Sequence, residues 1–61
     1  MSTLLTKREE EIKALLLKGM TNKNIANHLH ITPETVRNSI SRMMLKLNVT
    51  NRTQLVIKLM D

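Results

Sequence analysis

Arg37, Asn38, Ser41 and Arg42 bring four polar side chains into six consecutive residues. On a helix, Asn38, Ser41 and Arg42 are three and four positions apart and share one side, with Arg37 beside them. An arginine fork can donate two parallel hydrogen bonds to the O6 and N7 edge of guanine, and an asparagine amide can pair with N6 and N7 of adenine. A helix carrying this set fits the major groove of B-form DNA as a base reader. A second cluster, Thr21-Asn22-Lys23, places a hydroxyl, an amide and an ammonium beside the free backbone N–H groups of a helix N-terminus, a combination that favours phosphate. Helix capping alone would account for Thr21 and Asn22 equally well. His28 and His30 point to different helix faces and have no cysteine and no nearby acid to work with, so neither a metal centre nor catalysis is expected and no cofactor is implied. The chain contains no aromatic ring on which unpaired bases could stack, which disfavours single-stranded nucleic acid.

Positioning these residues requires helices, and the chain supplies their boundaries. Thr6 and Glu9 have capping-box spacing and open helix 1, with Glu9, Glu10 and Glu11 near its positive end. Gly19 closes it, and Ile12, Leu15 and Leu16 form its inward face. Thr21 caps a short helix 2 with apolar positions Ile25, Ala26 and Leu29, ending near His30. Thr32-Pro33 restarts the chain as helix 3, since threonine caps well and proline suits the first helical position. The spacing predicts helix 3 over about 33–47. Its stripe of Val36, Ile40, Met43, Met44 and Leu47 faces the core, which turns Glu34, Asn38, Ser41, Arg42 and Leu45 outward with Thr35, Arg37 and Lys46 on the flanks. His30-Ile31-Thr32 is a connection of the length found in a helix-turn-helix, with Ile31 filling the angle. Asn51 and Gln54 open helix 4, which turns Leu55, Val56 and Leu59 inward. A second strip on that helix, Thr53, Ile57 and Met60, has no core to cover and suits a symmetric dimer contact.

The expected architecture is therefore all-α: a compact four-helix domain spanning 1–61, with a flexible tail at 1–4 and a helix-turn-helix formed by helices 2 and 3. Composition agrees. The chain has 61 residues, no cysteine and no Phe, Trp or Tyr, so stability must come from closely packed aliphatic helices. Its formal net charge is +5, and beyond Ile12 it carries eight Lys or Arg against only Glu34 and Asp61, a surface suited to a polyanion. No apolar run has the length of a membrane span and no secretory signal opens the chain, so a cytoplasmic location and no membrane partner are expected.

Leu5-Thr6-Lys7-Arg8-Glu9 with Glu11-Ile12, Gly19, Thr21-Asn22-Lys23 with Ile25-Ala26 and Leu29, Ile31-Thr32, Thr35-Val36-Arg37, Lys46-Leu47, Val49 and Arg52 together resemble the DNA-binding domain of the LuxR/GerE family, also called the NarL/FixJ type. The resemblance covers almost the whole chain. It implies that helix 3 enters the major groove and that helix 4 mediates a weak homodimer, or a dimer on DNA. It further implies base contacts from Arg37, Asn38 and Ser41, and backbone contacts from Asn22, Lys23, Thr32, Thr35 and Lys46. Ser39 stands where the family often has histidine, Asn48 where it often has glycine, and Leu55 where it usually has alanine. These departures imply a lost backbone contact at Ser39, a left-handed turn kept at Asn48 and altered packing of helix 4 at Leu55.

Sequence-specific binding of double-stranded DNA, as the output domain of a bacterial-type transcription regulator, is the function these readings favour. The competing reading is a helix-turn-helix interaction module that docks a protein, either as an antagonist or as a fragment contacting RNA polymerase. A sigma-factor domain is a further relative in fold, disfavoured by the Thr-Asn-Lys and Thr-Val-Arg elements. The family usually joins this domain to an input domain, and its absence from the sequence suggests a C-terminal fragment or a free-standing regulator, the former being favoured.

Overall fold

The computed structural model describes residues 5–61, and the expected tail over 1–4 lies outside them. Four helices follow in order: α1 (Lys7–Leu17), α2 (Asn22–Leu29), α3 (Pro33–Leu47) and α4 (Arg52–Met60). No strand occurs among the described residues.

Each helix begins at a side chain that satisfies an otherwise orphaned backbone N–H. Thr6 accepts from Glu9 N at 3.1 Å while the Glu9 carboxylate accepts from Thr6 N at 2.8 Å, a complete capping box. Thr21 accepts from Asn24 N and Thr32 from Thr35 N, both at 3.1 Å, and Asn51 accepts from Gln54 N at 2.8 Å. Gln54 does not complete a box on Asn51. It accepts instead from the backbone N–H and hydroxyl of Thr50, one residue earlier.

Three of the helices end alike. Gly19, His30 and Asn48 take the left-handed conformation, with φ of 82°, 60° and 58°. The next residue then donates back across the last turn: Met20 to the Leu15 carbonyl, Ile31 to Ala26 and Val49 to Met44. In each case that residue, Met20, Ile31 or Val49, is a half-buried apolar side chain packed on the core. The C-terminal closure thus converts a backbone requirement into a hydrophobic contact that fixes where the chain heads next. Asn48 makes the left-handed turn without glycine because its short polar side chain tolerates that region.

The core consists of Ile12, Leu15 and Leu16 from α1, Ile25 and Ala26 from α2, Val36, Ile40 and Met43 from α3, and Leu55 and Leu59 from α4. Leu29, Met44, Leu47 and Val56, expected to be internal, are half-buried at its margin, because in so small a bundle only the centre of each apolar stripe is covered. Leu55 is fully enclosed, so the larger side chain is accommodated as core. Ile31 packs at the α2–α3 corner as expected, and α2 and α3 form the most extensive helix pair. Two polar side chains join the interior that composition did not mark, Glu9 and Ser39.

Candidate nucleic-acid interface

The core stripe of α3 dictates its opposite face. With Val36, Ile40 and Met43 buried, Thr35, Arg37, Asn38, Ser41, Arg42 and Leu45 are all exposed. Pro33, Glu34 and Arg37 at the start of α3 line an open depression with Asn22 from the start of α2, so the two expected clusters meet on one surface. Packing of α2 on α3 brings together residues fifteen positions apart. The side chains of Arg37, Asn38, Ser41 and Lys23 have no hydrogen bond or ion pair with other described residues, and their donors remain available to a ligand.

The remaining expected contacts are engaged within the domain. The Thr32 and Thr35 hydroxyls bond each other at 2.9 Å while Thr32 caps α3, so one of the pair's two hydroxyl protons is used between them and the other is left to donate at the helix start. Thr21 caps α2. Asn22 Oδ1 accepts from Arg52 Nη1 at 2.6 Å, and Arg52 also donates to the Met20 carbonyl at 3.3 Å. Since arginine can only donate, this bond turns the Asn22 carbonyl oxygen to Arg52 and leaves its NH2 group facing away. Arg52 was not anticipated as a site-organising residue. It joins the first turn of α4 to that of α2 across thirty positions, and no local pattern announces such a bond.

Arg42 is exposed, and its guanidinium is also engaged within the domain. Its guanidinium turns back along α3, donating to Ser39 Oγ at 3.2 Å and lying 3.9 Å from Glu9 Oε2. Lys46, one turn on, bonds Glu9 Oε1 at 2.6 Å. The reason is the buried carboxylate itself: removed from water, it must be compensated, and α3 supplies the cations. Ser39 is likewise internal, so its hydroxyl serves Arg42 rather than a surface contact. Burial would raise the Glu9 pKa, but the bonds from Lys46 and from the Thr6 backbone, with the Lys46 charge, outweigh it and hold the carboxyl below its ordinary value.

On α4, the Thr53, Ile57 and Met60 strip is exposed, Ile57 by 60% and Met60 by 70%. Among the described residues no group of acids and histidines is arranged to hold a metal ion, and no helix is long and apolar enough to cross a membrane.

Comparison with known proteins agrees with this geometry. The family model for bacterial regulatory proteins of the luxR family matches residues 3–59. The spore germination protein GerE of Bacillus subtilis is 51% identical over 57 residues, covering 93% of this chain and 77% of that protein. The response regulator VraR of Staphylococcus aureus is 48% identical over 54 residues, 88% of this chain but only 26% of its own length. The solved structure of the transcription factor GerE superposes with a TM-score of 0.85 at 42% identity, covering 98% of this chain and 88% of that one.

Proposed function

This chain belongs to the luxR family of bacterial regulatory proteins, and on that premise we propose that it binds duplex DNA sequence-specifically as the output domain of a transcription regulator. The observation that carries the reading is the meeting of Arg37, whose guanidinium has no partner among the described residues, with the α2 N-terminus at Asn22 on one open surface. Seating α3 in the major groove directs Arg37, Asn38 and Ser41 to base edges. Arg42 joins them only at the rim of that face, because Ser39 and Glu9 hold its guanidinium. Phosphates are met by Lys23, by the NH2 group of Asn22, by the first turns of α2 and α3 at Thr21, Thr32 and Thr35, and by the Lys46 ammonium beside Glu9.

A second copy docks through Thr53, Ile57 and Met60, a reading supported by the exposure of the two large apolar side chains on one face of α4. One nine-residue helix makes a small contact, so dimerisation is weak without DNA and half-sites lie about one helical turn apart.

Selection from a randomised duplex pool tests both statements. Enrichment of a paired half-site motif is the expected result. Enrichment of single half-sites would remove the dimer, and no enrichment at all would favour a module that docks a protein.

A further inference from the structure

Glu9 is the one acidic side chain among the described residues that is shut away from solvent, with only 2% exposed. It is shut away from any ligand at the surface, yet it is paired with the two cations Arg42 and Lys46 of α3. Its position is rigid: one carboxylate oxygen is fixed by the Thr6 backbone N–H as part of the α1 cap. That oxygen also takes Lys46 Nζ at 2.6 Å, and the other oxygen lies 3.9 Å from Arg42 Nε. Arg42 has a second anchor in buried Ser39.

We infer that Glu9 is a positioning residue that raises sequence discrimination by tethering Arg42 and Lys46. The inference rests on the duplex-binding reading above. A cation on a free side chain can reach phosphates in any register of the protein on DNA, and such contacts supply sequence-independent affinity. Pulling Lys46 away to follow a phosphate would leave a buried carboxylate short of compensation, which is costly. The tethered ammonium therefore meets a phosphate only where the backbone arrives at one fixed point, and this happens when α3 is seated in its specific register. Arg37 and Lys23, without such a tether, act in both modes. The biologically useful quantity is the ratio of specific to non-specific binding, and restraining two of the basic side chains of α3 lowers only the second.

Salt titrations on the selected site and on a scrambled duplex test this with Glu9→Gln. Glutamine keeps an acceptor for the Thr6 N–H but removes the charge that holds Lys46 and Arg42. Glu10→Gln, at an exposed position of the same helix, is the control with the same change in charge. Glu9→Gln is expected to raise affinity for the scrambled duplex about threefold or more and to steepen its salt dependence by about one released counterion. Its specific-to-scrambled ratio falls, whereas Glu10→Gln leaves that ratio unchanged. Equal behaviour of the two variants overturns the inference. Thermal melting checks that Glu9→Gln is folded. If it is not, Arg42→Gln decides: it should flatten the salt dependence on scrambled DNA far less than Lys23→Gln, which removes about one counterion. Equal flattening overturns the tether. A wild-type chain that binds neither duplex brings down the duplex-binding reading itself.

Discussion

Arg37 in the second turn of α3 and Arg42 and Lys46 further along the same helix carry the same charge into different surroundings. Arg37 has no partner among the described residues and borders the α2 N-terminus. Arg42 and Lys46 are drawn onto Glu9, and through Glu9 onto the cap of α1. Arg37 in the first half of α3 is thus open to a ligand while Arg42 and Lys46 in the second are wired into the scaffold. A reading helix needs both, because side chains can discriminate bases only if the backbone carrying them is held still.

The largest break in this comparison should come from Met43, fully buried where the second half of α3 meets the core. Met43→Ala is expected to cost about 2–5 kcal/mol of stability, enough to leave so small a domain partly unfolded in a denaturant titration. A cost confined to DNA binding would mean that the second half of α3 is not its anchor. Arg37→Ala inverts the pattern. It should leave the melting temperature unchanged, weaken the specific site by about 1–3 kcal/mol and relax discrimination at one base pair. Uniform weakening on every sequence would make Arg37 a phosphate contact and erase the distinction between the halves. Thr32→Ala removes the cap on which the open half depends, and about 1 kcal/mol of stability should be lost in a thermal melt.

The smallest effect appears on acidification. The Glu9 carboxyl is held below its ordinary value of 4.5, so the stability it supplies is complete above that value and disappears as pH falls through the lower folded value. Glu9→Gln should flatten this part of the acid unfolding curve. An identical acid limb in the variant would show that the Glu9–Lys46 bond contributes nothing to the folded state.

Much of the fold was legible because it is local. Capping residues act within one turn, so Thr6, Thr21, Thr32 and Asn51 mark four helix starts wherever the helices later go. The sign of the charge and the outward stripe of α3 follow from composition and the helical period in the same way. A signal for Glu9 was also present: it precedes Ile12 by three positions and Leu16 by seven, which sets it on the buried face of α1. Ser39 likewise lies three positions after Val36 and four before Met43. Polar residue type argued against burial in both cases, and periodicity was the better guide.

The sequence by itself determined the four helices, the three-residue turn, the left-handed closures at Gly19 and Asn48 and which face of α3 turns outward, since these depend on interactions within a few residues; the left-handed turn at His30 was not among its readings. Only the tertiary structure decided which outward cations are free. Arg42 and Lys46 find a partner thirty or more positions away in α1, Asn22 finds Arg52 across a similar span, and Arg37 finds none among the described residues. Arg37, Arg42 and Lys46 carry the same charge on the same helix. What separates them is whether packing delivers a buried acceptor within reach, and that is settled only when helices distant in the chain come together.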